Sequence, residues 1–304
     1  MSQTKAQLID PVDGSIVNAD ISASAAIAGS KISPTFTSDG SFNSINIGKG
    51  ANSVAGNTVL GELALDAAVS GSNNTAVGKS ALSANTSGDS NSSLGSLALS
   101  LNTTGSDNVA VGYASLNVNQ TGNSNVAIGH KALENNTHSN NTAVGNDSLR
   151  QNTSGQNNTA VGINSLDANT TASNNTGIGA FALDSNTTGT NNVAVGTLAL
   201  DANTTGSQNV AIGKNALGLN TTGAQNIAIG HQALDANTTA SNNTALGYFT
   251  LAANTTGTGN VAVGALALDA NSTADKNTAI GYSALGANTT GASAVAVGYN
   301  ALAS

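Results

Sequence analysis

The chain has 304 residues, 8% of them charged against a usual ~25%, and 3% aromatic with no Trp, so it is not an ordinary globular domain. Net charge is −8 with the eight Lys and Arg scattered, which leaves no basic patch for nucleic acid. The absence of Cys excludes disulfides and thiolate metal sites, and no window of 18 apolar residues offers a membrane helix.

Residues 1–43 do not repeat. The start, Met1 to Asp10, lacks a cationic stretch followed by an apolar one, so no signal peptide is expected. Asp10-Pro-Val-Asp-Gly14 reads as a turn. Ile16, Ile21, Ile27 and Ile32 punctuate an Ala/Ser-rich stretch with neither helical nor alternating spacing. The segment is too short to fold alone. It is expected to attach the chain to a partner, with a flexible tail as the alternative. Residues 44–60 form an irregular entry, in which Ile45, Ile47 and Gly48 resemble a repeat strand out of register. Terminal repeats commonly cap a stack.

From Gly61 to the end, residues 61–304, glycine recurs through Gly112, Gly129, Gly162, Gly196, Gly213, Gly230 and Gly264 to Gly298. Fifteen such glycines are separated by thirteen intervals of 17 residues and one of 16. A fixed short period is the signature of a stacked repeat. Counting from each glycine, position +4 is Leu, from Leu65 to Leu302. Position +7 is nearly always Asn and position +10 is Gly or small. The residue four before each glycine is usually Asn, with Ala294 in the last unit. The short unit loses its residue within Glu134 to Ser139, a loop, because the register recovers afterwards.

In Val193-Ala-Val-Gly196 the two valines face one way and Ala194 the other. The β-branched pair favours a strand, and the glycine closes it with a tight turn. Ala-Leu then belongs to a second short strand or turn that places Leu inward, and Asn-Thr-Thr-Gly turns the chain back. The class is all-β: a parallel β-solenoid or β-roll of 17-residue coils. Equivalent residues stack ~4.8 Å apart, so fifteen coils make a rod of roughly 70 Å. Like charges are thinned out at that spacing, and Asn and Thr are expected to bond the same side chain above and below. One coil has a thin apolar core against an ordering cost of ~1–2 kcal/mol per residue. The constant small Ala, read as outward, is the expected contact with other copies, and an intertwined or side-by-side homotrimer is the expected assembly.

The repeat, as in Asn260-Val-Ala-Val-Gly264, resembles the head repeat of trimeric autotransporter adhesins. The longer unit, Ala-Leu-x-x-Asn-Thr-Thr-Gly-x-x-Asn-x-Ala-Val-Gly, is more similar to repeats of bacteriophage tail-fibre-like proteins. The opening Gln3 to Pro11, with Ile16 to Ser22 and Gly29 to Ser33, resembles the start of phage fibre proteins. The resemblance implies a virion component. In that reading the N-terminal segment binds other virion proteins, the shaft contacts a host-surface glycan or protein, and a tip or chaperone partner sits at the C-terminal end near Ser304. A bacterial cell-surface adhesin head and an ice-binding solenoid with a Thr array (Thr170-Thr171, Thr187-Thr188, Thr204-Thr205) are the alternatives.

Residues just after the glycines vary most and carry most aromatics: Tyr113, His130, Lys131, Phe181, Lys214, His231, Tyr248, Phe249, Tyr282 and Tyr299. They form either a receptor-facing strip or an outward face under weak constraint. Position +5 is often acidic (Asp66, Glu134, Asp167, Asp184, Asp201, Asp235, Asp269), either a solvated corner or a row of oxygen ligands. His130, His138 and His231 share no ligand spacing. The sequence shows no catalytic constellation, so no enzyme activity, cofactor or metal is expected.

Overall fold

The computed structural model describes residues 40–42, 45–67 and 69–303. The expected attachment segment, 1–43, lies outside the described residues apart from Gly40–Phe42, and so does Ser304. The described chain is a β-solenoid with one three-residue strand per coil. β1 (Gly40–Phe42) pairs antiparallel with β2 (Ile45–Gly48), which pairs antiparallel with β3 (Thr58–Gly61). From β3 on, each strand pairs parallel with the next, through β4 (Thr75–Val77) to β17 (Val295–Val297). Fifteen strands thus bound fourteen complete coils. The register is strict: Ala194 lies opposite Ala211, and Ala211 opposite Ala228.

The irregular entry occupies the place of a preceding coil. Ala51 N–H donates to the Leu65 carbonyl at 3.1 Å, and Asn52 Nδ2 to the Val69 carbonyl at 3.0 Å. The antiparallel turn of β2 explains why Gly48 falls out of the 17-residue register.

The strand faces are the reverse of the sequence reading. Ala194 and its equivalents Ala211, Ala228 and Ala262 are wholly buried inside the coil. Val193, Val195 and their equivalents point outward and are half-buried or exposed. Narrowness is the cause. At Gly177, which replaces this alanine, a Cβ would lie 2.7 Å from Ser165 Oγ and 3.3 Å from Leu166 Cγ, side chains of the opposite wall. An alanine methyl fills the space in most coils; at Gly177 the Ser165 hydroxyl fills it, donating to the Gly177 carbonyl at 2.8 Å, while the first parallel strand places Val59 and the third Ser93 there.

The segment after the glycine is a turn and not a second strand. Positions +2 and +4 adopt positive φ in every coil, as in Asn215 (56°) and Leu217 (55°). Alternating left-handed residues curl the chain, yet its amides still bond across coils: Leu217 N–H donates to the Ala233 carbonyl at 2.9 Å. The seven corner glycines expected from sequence have φ between 127° and 137°. A Cβ on Gly213 would meet the Gly230 carbonyl oxygen at 2.5 Å, so glycine is required there by both torsion and space.

Most coils therefore enclose one Leu, two Ala or small residues, and two Asn. A left-handed Leu costs about 1–2 kcal/mol, while its full burial returns about 1.5–3 kcal/mol. The margin is small, which explains the residue type. The +2 and +4 positions carry no Val, Ile or Thr in any coil, because a second branch at Cβ worsens the left-handed clash.

The two Asn columns are buried ladders. Asn203 Nδ2 donates to Asn186 Oδ1 (2.8 Å) in the preceding coil and to the Gly206 carbonyl (3.0 Å) in its own. Asn209 Nδ2 donates to the Gly223 carbonyl (2.9 Å), and its Oδ1 accepts the Asn226 backbone N–H (3.0 Å). Threonine behaves differently from expectation. Thr204 Oγ1 donates to the Thr221 backbone carbonyl at 3.0 Å and not to a threonine side chain. The shortened coil falls in the expected loop. His138 supplies the carbonyl that Gly or Ala supplies elsewhere, accepting from Asn136 Nδ2 at 2.6 Å and Asn125 Nδ2 at 2.9 Å. One rung is lost there, because Asn119 Oδ1 is left buried with no partner.

Leu217→Ile should cost about 2 kcal/mol or more, beyond the <1.5 kcal/mol typical of volume-conserving swaps, whereas Leu217→Met should stay within that range. Denaturant unfolding of the two variants measures this, and equal costs would remove the left-handed backbone as the reason for Leu.

Candidate interaction surfaces

The corner after each glycine puts position +1 outward in a column and position +2 beside it. Tyr113, His130, Lys214, His231, Tyr248, Tyr282 and Tyr299 occupy the first column; Lys131, Phe181 and Phe249 occupy the second. Tyr113, Phe181, Tyr248, Tyr282 and Tyr299 are exposed, and Lys131 and Phe249 are half-buried. Successive coils bring several rings together. Tyr113 stacks on His130 (centroids 5.5 Å, planes 17° apart) and Tyr282 on Tyr299 (5.4 Å, 13°). His231, Tyr248 and Phe249 form a third group: His231 stacks on Tyr248 at 5.6 Å, and Phe249 meets Tyr248 edge-on at 4.5 Å. The predicted strip thus resolves into three aromatic clusters, with Phe181 and Lys214 in other coils. Stacking along the axis occupies ring faces with one another.

Charge gathers beside the first cluster, at the shortened coil. Lys131 Nζ lies 3.4 Å from Glu134 Oε1. Asp147 Oδ1 is buried without a hydrogen-bond donor, and has His130 Nδ1 and Arg150 Nη1 each at 3.9 Å. Arg150 reaches the next coil and grips Asp167 with two bonds of 3.1 Å, from Nε and Nη2.

Asp167 heads the acidic column. It is nearly buried, while Asp184 and Asp201 in the next two coils are half-buried. Burial raises the Asp167 carboxyl although Arg150 opposes it. Asp184 is pushed up to about 6, first by burial and then by the Asp167 and Asp201 charges on either side. Burial also raises Asp201 and Asp269. Asp235 accepts a bond from Gln232 Nε2 at 3.0 Å. The row is thus a line of partly desolvated carboxylates. Among the described residues no group of three or more His, Asp or Glu is placed to hold a metal ion.

Of the paired threonines, the first is half-buried from Thr103 to Thr255, and in Thr187 and Thr204, for example, its hydroxyl is bonded to the next coil; the second, as in Thr171, Thr188 and Thr205, forms an exposed column. Among the described residues no helix is long and apolar enough to cross a membrane.

The surface that sequence reasoning assigned to the interior is the outer strand face. The residue before each glycine is Leu, Val or Ile at all fifteen strands. It is half-buried or exposed throughout: Leu94 51%, Ile178 39%, Ile212 38%, Ile280 41%. Neither outward strand position carries a charge in any coil. The signal misread was the smallness of the alanine in most coils opposite an invariant Leu, which marks a narrow interior and not a contact face.

The sequence matches no protein-family model and no curated protein.

A carboxyl held up in the folded state favours the protonated form, so its stabilisation is complete below the ordinary value near 3.8 and is lost as pH rises through about 6. The protein should therefore gain stability on going from pH 7.5 to 4.5. Asp184→Asn should reduce that gain and raise stability at neutral pH, by on the order of 1 kcal/mol after allowing for solvent screening. Melting temperatures of both proteins across this range test it, and parallel pH profiles would contradict it.

Proposed function

We propose that this chain is the shaft of a virion fibre, a phage tail-fibre component, in which three copies pack their outward strand faces around a common axis. The observation that carries the reading is the unbroken apolar column from Leu60 to Val297. A stripe running the length of fourteen coils far exceeds the scattered apolar residues of a monomer surface. Covering it supplies the burial that one narrow coil lacks. The aliphatic column now takes the role in assembly that the sequence reading gave to alanine.

The rest of the reading follows from the resemblance of the repeat and of the opening segment to phage fibre proteins. The N-terminal segment joins other virion proteins, and the shaft projects. The aromatic clusters at Tyr113, Tyr248 and Tyr282 present hydroxyls and imidazoles to a host-surface glycan or protein. A tip or chaperone partner would sit at the C-terminal end of the shaft. The hydroxyls of the first Thr column are committed to backbone carbonyls, which leaves the ice-binding alternative one exposed column in place of the paired array.

Sedimentation equilibrium should give three times the chain mass of 29.5 kDa. The double variant Ile212→Lys, Ile229→Lys should shift it to monomer, because three charges would meet at each of two layers. A monomeric parent protein would overturn the assembly. With the trimer in hand, loss of host-cell binding in His231→Ala, Tyr248→Ala would assign a receptor role to that cluster, and unchanged binding would leave the shaft as a spacer.

A further inference from the structure

The two outward columns of the strand face differ in what they can specify. The column before the glycine is aliphatic in every coil, so sliding one copy past another by whole coils sets aliphatic against aliphatic at any offset. It supplies burial and no register. The other outward column, two residues earlier, is not uniform. It carries hydroxyls in three coils (Thr58 to Ser92), valine in two (Val109, Val126), threonine in three (Thr142 to Thr176) and aliphatics in three (Val193 to Ile227), then alternates singly from Thr244 to Val295. These residues are all outward and at least partly exposed, and neighbouring coils hold them in strict parallel register.

We infer that this column is a register code: it fixes the axial alignment, parallel and without offset, between copies of this chain packed on their strand faces. The inference rests on the fibre assembly proposed above and names how its partner is aligned. A second copy is the occupant because only a partner with the same coil spacing keeps contact along the whole face. The face also carries no charge that would repel its own copy. At zero offset every hydroxyl layer meets a hydroxyl layer and every aliphatic layer an aliphatic one. A slip of one or two coils sets hydroxyl against methyl groups at half or more of the layers. A threonine hydroxyl buried against valine has no partner there and loses water, whereas against threonine it can donate and accept. The unequal block lengths matter, because a regular alternation would be satisfied again after every second coil. An antiparallel pairing would oppose the three hydroxyl coils at one end to the single alternation at the other.

The chain has no cysteine, so single cysteines report cleanly. Val77→Cys and Ile280→Cys, near the two ends, should each form disulfide-linked pairs with themselves under oxidation and none with each other when the two variants are co-produced. Ile212→Cys and Leu246→Cys, two coils apart, should likewise give no mixed product. The mixed 212–246 product should rise from background to a share comparable with the self-products when all eight Thr and Ser of the column are replaced by valine. Self-products with no mixed product in the all-valine protein would overturn the code and leave the assembly standing. Mixed Val77→Cys/Ile280→Cys product without self-product would overturn the parallel alignment. Absence of any linked product together with a monomeric mass would overturn the assembly and the code together.

Discussion

The buried carboxamide ladder is the constraint on which the rest of this structure depends. A chain that turns tightly within seventeen residues leaves the amides and carbonyls of its turns inside, away from water, where each unpaired group costs about 1–3 kcal/mol. Asparagine meets that need because its side chain has two donors and an acceptor, and can bond its own copy in the next coil. Asn203 uses both donors, and its Oδ1 accepts Asn220 Nδ2 at 2.9 Å. A carboxylate in the same column would repel its neighbour ~4.8 Å away, and an aliphatic would leave the turn carbonyls bare. The shortened coil shows the rule by its exception, since removing one loop residue leaves Asn119 Oδ1 without a partner.

Much of this was legible. The period, the corner glycines, the inward Leu, the Asn columns and the loop position of the deletion are all visible in spacing alone. The direction of the strand faces was not. A period of two says that Ala194 and Val195 face opposite ways, but which way is in depends on the width of the coil, a property of the closed structure. The general preference for larger aliphatics inside points neither way when the interior holds only a methyl group opposite Leu200. The choice between a second strand and a turn after the glycine was hidden for a related reason. Ala-Leu carries no turn residue, and the left-handed torsions at +2 and +4 show in sequence only as a consistent absence of Val, Ile and Thr. The aromatic strip was visible as outward and variable, while its division into three clusters depends on which coils are neighbours.

Putting alanine inside and valine outside changes what the fold offers. The coil closes on a slender core of Leu, Ala and Asn, and its β-branched residues become a flat, uncharged outer face. Asn ladders are buried beside the Leu and Ala core, while an apolar column lies on the outside. Such a unit is suited to being one strand of a larger fibre. The ladder holds coils together along the axis; in the fibre we propose, the strand face would join chains across it, and the corners carrying Tyr, His and Lys would be left for a third kind of contact.

The most direct test replaces one ladder amide. In Asn209→Asp the side chain keeps its shape and its acceptor for the Asn226 N–H but loses the donor to the Gly223 carbonyl and buries a charge. Asn242→Asp makes the same exchange at an exposed position. Denaturant unfolding at neutral pH should show Asn209→Asp destabilised by about 3 kcal/mol or more and Asn242→Asp almost unchanged. Equal, small effects at the two positions would contradict the ladder as the element that holds the coils.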